Sequence, residues 1–203
     1  MGPDLCRIAM LNIVCVNNND YLGRGNEYVT KLRDGIEKHC TVPYKFTVID
    51  KCVNEGWWAK LEIFKYFPIG DRVLYFDLDT VITGNIDSLA MYDGYFMALT
   101  DFYHPEIINS SIMMFESGKE NKIYDKWVEL GKPKLMGGDQ QWIYMIKPAA
   151  KRIQTEYPNK VVSYKSHCKD GIPENASVVC FHGLPRPHEV DYLIQTGEKH
   201  VSR

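Results

Sequence analysis

Between Arg72 and Ile82 the chain reads Arg72-Val73-Leu74-Tyr75-Phe76-Asp77-Leu78-Asp79-Thr80-Val81-Ile82, an apolar run that ends on two carboxylates. The run is rich in β-branched and aromatic residues and too short for a helix, which fits a buried strand of a parallel sheet. In open α/β sheets, ligands bind at the carboxyl ends of strands. Residues i and i+2 of an extended segment point the same way, so Asp77 and Asp79 are expected to converge on one point. Two carboxylates that close repel each other unless a cation or a shared proton intervenes. The pair therefore points to a hard divalent metal, Mn²⁺ or Mg²⁺, carrying a phosphorylated ligand. The alternative is a surface turn with two solvated acids.

A length of 203 residues, 45% of them hydrophobic, supports one sizeable core and is short for two, so 1–203 reads as a single domain. With 24 basic against 26 acidic residues and no basic cluster, nucleic acid and acidic membrane are not expected partners. Cys6, Cys15, Cys40, Cys52, Cys168 and Cys180 form no C-x-x-C pair, and several lie inside apolar runs. Reduced, buried thiols in a cytoplasmic protein are expected. The only early apolar stretch is interrupted by Arg7 and Asn12, unlike a signal peptide, and no window reaches transmembrane length.

Ile8 to Val16 reads as a first buried strand, followed by the polar loop Asn17-Asn18-Asn19-Asp20-Tyr21. From Asn26 to about Cys40, Tyr28, Val29, Leu32 and Ile36 recur at helical spacing, and Tyr44 to Ile49 reads as a second strand. This β-α-β order argues for a parallel, Rossmann-type sheet whose first ligand loop is 17–21. The loop lacks G-x-G-x-x-G, so no dinucleotide fingerprint is present; its Asn and Tyr side chains suit a base, or else form a simple turn. Trp57 to Phe67 reads as a helix, with Lys60 either reaching a phosphate or simply solvated. Further on come a short strand 95–100 ending at Asp101, a polar connection to Asn109-Ser110-Ser111 and the run 112–115. A helix is expected over 118–130, and another amphipathic run follows Gly137-Gly138-Asp139-Gln140-Gln141, where Asp139 reads as a cap. The last third carries the strand Val178 to His182, in which alternation places Cys180 and His182 on one face. Gly183 follows, and Arg186 stands between two prolines, suited to phosphate.

In this order the segments resemble the GT-A glycosyltransferases of the glycogenin and bacterial galactosyltransferase type, family 8. The matching pieces are Asn18-Asn19-Asp20-Tyr21, Lys60, Tyr75-Phe76-Asp77-Leu78-Asp79-Thr80, and Asn85 to Leu89. They continue with Asp101, Asn109-Ser110-Ser111, Gly138-Asp139-Gln140 and Gly183-Leu184-Pro185-Arg186-Pro187, and they cover nearly the whole chain. The resemblance implies a single-domain GT-A (Rossmann-like) α/β fold, with a mixed, mostly parallel sheet flanked by helices. Three departures stand out. Cys180 occupies the place of the family's third metal ligand, a His three residues before the terminal glycine, and His182 is taken as that ligand because a thiolate matches Mn²⁺ or Mg²⁺ poorly. Arg186 replaces a Lys, and His188 a Trp, while Ser111 replaces a glycine. The chain is also shorter than many relatives, which implies reduced acceptor-binding additions.

The function so implied is metal-dependent transfer of a sugar from a nucleotide-diphosphate donor, a UDP-sugar, to an unidentified acceptor, with retention. Asp77, Asp79 and His182 are expected to hold the metal, which bridges the diphosphate. Lys60, Gly183 and Arg186 are expected at the leaving diphosphate, and Asn18 and Tyr21 at the uridine. Asp101, Asn109, Asp139 and Gln140 are expected to orient the sugar. Two alternatives remain: a HAD-type phosphatase using Asp77 as nucleophile, because Asp77-Leu78-Asp79-Thr80-Val81 also resembles its motif, and a catalytically degenerate nucleotide-sugar-binding protein.

Overall fold

The computed structural model describes residues 9–191 together with Ile194 and Gly197; Cys6 and Ile8, both assigned roles above, lie outside the described residues. In chain order the elements are β1 (Leu11–Val16), α1 (Gly25–His39), β2 (Lys45–Ile49), a 3₁₀ helix (Gly56–Glu62) running into α2 (Ile63–Tyr66), and β3 (Arg72–Phe76). There follow β4 (Thr80–Ile82), α3 (Asp87–Ala90), β5 (Met97–Thr100), β6 (Ile108–Glu116), α4 (Lys122–Glu129) and α5 (Gly138–Ile146). The last third adds β7 (Lys151–Arg152), α6 (Ile153–Glu156), β8 (Val161–Ser163), α7 (Tyr164–His167) and β9 (Val178–Cys180).

The main sheet has six strands in the order β2-β1-β3-β6-β5-β7. β1 pairs in parallel with both β2 and β3, β6 runs antiparallel to β3 and β5, and β7 is parallel to β5, so only β6 is reversed. The mixed, mostly parallel α/β sheet read from the sequence is therefore present. Strand alternation divides the core into two layers. On one face Ile13, Cys15, Leu74 and Phe76 pack against Tyr28, Leu32 and Ile36 of α1. On the other, Val14, Val73 and Tyr75 meet Trp58, Phe64, Trp127 and Trp142. The apolar stripe of α1 explains the first layer, and Gly35 lets this helix approach β4, since a Cβ there would lie 2.9 Å from Cβ of Ile82. No helix among the described residues is long and apolar enough to cross a membrane.

The stretch 72–82 is not one strand. β3 ends at Phe76, the chain turns through Leu78 and Asp79, and it enters a second sheet of order β4-β9-β8 at Thr80. The last link to the first sheet is the amide of Asp77, which donates to Ser111 O at 2.8 Å. Asp77 and Asp79 are thus brought together by a turn between two sheets, not by strand alternation. Likewise β9 stops at Cys180, so alternation does not extend to His182; Phe181 N donates to Asp79 O, and Gly183 takes a left-handed φ of 77° as the chain turns away. Two other expectations shift. Most of the helix expected at 57–67 is 3₁₀, and Asn109, Ser110 and Ser111 lie inside β6 instead of in a connection before it.

Phe76 is fully buried at the end of the central strand. Phe76→Ala should lower the unfolding free energy by about 3–5 kcal/mol, read from urea denaturation. A loss below about 1 kcal/mol would contradict this placement of the core.

Candidate active site

An open cleft of about 630 Å³ lies at the carboxyl ends of β1 and β3, within the size range of small-molecule sites. Its floor is ionic. Lys60, only 8% exposed, comes from the 3₁₀ helix and reaches Asp77 Oδ1 at 2.8 Å and Asp139 Oδ2 at 3.1 Å. It also donates to Ser110 Oγ at 3.2 Å, while Ser110 Oγ donates to Asp139 Oδ2 at 2.7 Å. The solvated-lysine reading is therefore excluded. Burial works to strip the Lys60 proton, but the charges of Asp139 and Asp77 outweigh it and raise its pKa. Tyr75, two residues before Asp77, donates its hydroxyl to the same Asp77 Oδ1 at 2.6 Å.

Asp79 has its own cation. Its Oδ2 pairs with Arg186 Nη1 and accepts the Tyr21 hydroxyl at 3.1 Å, while Arg186 Nη1 also donates to Tyr21 Oη at 2.8 Å. Burial, then the charge of Asp77, push the Asp79 carboxyl up to about 6, against the pull of Arg186. Arg186 is held from outside as well: its guanidinium lies 5.8 Å from the Tyr21 ring centroid, and Tyr28 Oη sits 2.6 Å from His188 Nδ1. Three carboxylates, Asp77, Asp79 and Asp139, thus share two cations, Lys60 and Arg186.

The loop after β1 is a tight polar turn. Asn17 Oδ1 accepts from Tyr21 N, Asp20 Oδ1 accepts from Gly25 N, and a Cβ at Gly25 would lie 1.9 Å from Asn17 Oδ1. Asn18 lines the cleft and donates to Asn54 O at 2.9 Å. On the far wall, Asn109 and Gln140 line the cleft beside Asp139. Asp139 lies in the first turn of α5, paired with Lys60 and Ser110, and is not a helix cap. Two sequence assignments move behind the wall. Asp101 is not part of the lining; its carboxylate anchors the amides of Tyr103 and His104 and the side chains of Asn109 and Gln140. Burial pushes its pKa up, but the two amides and the Asn109 and Gln140 side chains together outweigh it and lower the pKa. Gly183 is also outside the lining and serves as the turn that delivers Arg186.

The metal assignment divides. Asp77 Oδ2 and Asp79 Oδ1 accept no hydrogen bond from the described residues, and hard carboxylate oxygens of this kind fit Mn²⁺ or Mg²⁺. One or two carboxylates plus phosphate oxygens are a common set for such ions. His182 lines the same cleft, but its ring is engaged elsewhere. Its Nε2 is 2.6 Å from Ser163 Oγ, its ring stacks on Phe102 at 5.3 Å and meets Tyr103 edge-on at 5.1 Å. Burial, then the charge of Lys165, lower its pKa and favour the neutral ring. Among the described residues no group of three or more His, Cys, Asp or Glu is placed to hold a metal ion. Cys180 is packed in the core opposite Thr80, and burial, with the charges of Asp79 and Asp77, raises its thiol pKa and keeps it protonated.

Two contributors escape the sequence reading. Tyr75 shows a retrievable signal, its i−2 relation to Asp77 on a strand; the Tyr28–His188 contact spans 160 positions and has none.

No protein-family model matches the chain, and no curated protein matches it in sequence. Solved structures do match in fold. The glycosyltransferase GlyE of Streptococcus pneumoniae TIGR4 superposes with a TM-score of 0.67 at 15% identity, over 93% of this chain and 59% of GlyE. The galactosyltransferase LgtC, in complex with donor and acceptor sugar analogs, gives 0.66 at 14% identity over 92% of each chain. The bifunctional glycosyltransferase WbbM gives 0.69 at 13% identity, over 97% of this chain and 50% of WbbM. This chain therefore spans about three-fifths of the length of GlyE, half of WbbM and nearly all of LgtC, and it has the GT-A-like fold of these glycosyltransferases.

The raised Asp79 pKa carries a signed pH dependence. The folded protein holds this proton more tightly than the unfolded chain, whose carboxyl titrates near 3.8, so the associated stability is full below about pH 4 and is lost as pH rises through about 6. Relative to Asp79→Asn, wild-type unfolding free energy should fall by on the order of 3 kcal/mol between those limits. A difference that stays flat with pH would contradict the burial of this carboxylate.

Proposed function

We propose that the chain is a glycosyltransferase that moves a sugar from a UDP-sugar to an acceptor, with a divalent cation on Asp77 and Asp79 and with retention of anomeric configuration. The observation that carries this reading is the cluster of three carboxylates and two cations on the floor of the cleft. With all five groups charged, the cluster is already one negative charge in excess. A diphosphate adds more, and both cations are committed to carboxylates. Asp77 and Asp79 would hold a divalent cation, which would offset that excess and supply Lewis-acid charge for departure of the nucleotide. The fold likeness to LgtC, which is known with donor and acceptor sugar analogs, supports the same substrate class.

The chain's own residues then have separable tasks. Asn18 and Tyr21, in the cleft lining, are assigned to the base and ribose. Lys60 and Arg186, while paired with their carboxylates, add positive potential beside the leaving diphosphate as its charge develops. Asn109, Asp139 and Gln140 position sugar hydroxyls, held in place by Asp101 and Ser110. Asp139 is engaged by Lys60 and Ser110, which suits positioning more than nucleophilic attack. Of the alternatives, a phosphatase using Asp77 is disfavoured by the fold likeness, which is to glycosyltransferases.

The test is donor hydrolysis across a panel of nucleotide sugars with Mn²⁺, Mg²⁺ or chelator. At least one UDP-sugar should turn over in a metal-dependent manner, and Asp79→Asn should reduce turnover by about 10²-fold or more while the fold persists. Release of phosphate from simple phosphomonoesters, with no nucleotide sugar consumed, would overturn the reading.

A further inference from the structure

Trp57 is 59% exposed, whereas Trp58, Trp127 and Trp142 are buried. It stands three residues before Lys60 in the 3₁₀ helix, where residues i and i+3 eclipse, and both side chains line the cleft. The ring is seated, not loose. Gly138 lies against it with a left-handed φ of 60°, and a Cβ there would come within 3.1 Å of indole Cε2 and Nε1. A side chain at 138 would therefore displace the indole, and the next two residues, Asp139 and Gln140, are the polar groups of the same wall. The buried Trp127 and Trp142 donate their indole N–H groups to Pro133 O and Ile123 O, but Trp57 Nε1 has no hydrogen bond among the described residues. Its ring face and its N–H are therefore both open to the cleft. Met136, fully exposed, adds a flexible apolar surface to the lining.

The ionic floor suits the diphosphate, and the Asp139 and Gln140 wall suits sugar hydroxyls. An open aromatic surface beside that wall suits the C–H face of a neutral pyranose and offers one N–H to a hydroxyl. We infer that Trp57 is the platform on which the acceptor stacks, and that the acceptor is accordingly a carbohydrate. This inference rests on the glycosyl-transfer reading, and its test is separable from that reading.

Because Trp57 is the exposed member of four tryptophans, collisional quenching by neutral acrylamide reports chiefly on this one ring. The probes are methyl β-D-galactopyranoside, methyl β-D-glucopyranoside and UDP, each added to the full chain. At least one glycoside should remove most of the quenching slope in the wild type and change nothing in Trp57→Phe, whereas UDP should leave the slope in place. Absence of protection by either glycoside, or protection by UDP alone, would overturn the inference. Metal-dependent nucleotide-sugar turnover, measured separately, decides the glycosyl-transfer reading without affecting the quenching result.

Discussion

The buried ammonium of Lys60 is the interaction on which the cleft depends. It is packed beneath the surface and joins Asp77, from the end of β3, to Asp139, from the first turn of α5. Two carboxylates from elements far apart in sequence would otherwise repel in a medium poor in water. Removing one partner of such a buried pair leaves an uncompensated charge, at a cost of about 3–5 kcal/mol. Ser110 and Tyr75 complete the arrangement by occupying remaining donor and acceptor positions. Its benefit is geometric: three walls of the cleft are locked together before any ligand arrives.

Asp79 has a looser solution to the same problem. Its partner Arg186 arrives from the end of the chain's last third, on a segment that turns at Gly183 and is pinned to α1 through His188 and Tyr28. The compensation is incomplete, because burial and Asp77 still raise the carboxyl pKa. A site with one surplus negative charge is poorly disposed to an anionic ligand alone and well disposed to an anion that arrives with a divalent cation. The turn between the two sheets concentrates this deficit at one point, since Asp77 closes the first sheet and Thr80 opens the second.

Much of this was legible in the sequence. The stripe Tyr28, Val29, Leu32 and Ile36 specifies α1, and the apolar run at 73–76 specifies a central strand, because periodicity reports burial directly. The residues of the cleft were readable as an ordered set of short motifs. What failed was inference by alternation across strand ends. The spacing of Asp77 to Asp79 and of Cys180 to His182 suggests extended chain, but each pair crosses the point where a strand stops, and the second pair separates into core and aromatic cluster. Asp101 and Gly183 were readable as parts of the family-like motifs, without any indication that they act one layer back. Long-range contacts such as Tyr28 with His188 leave no local pattern at all.

The most direct test of the account is calorimetric titration of UDP into the wild-type chain and Arg186→Gln, with Mn²⁺ present and then chelated. The account predicts saturable one-to-one binding that requires the cation and weakens by about tenfold or more in Arg186→Gln, since a charge-assisted contact of about 1.5–3 kcal/mol is lost. Undetectable UDP binding, or binding unchanged both by chelation and by Arg186→Gln, would contradict it.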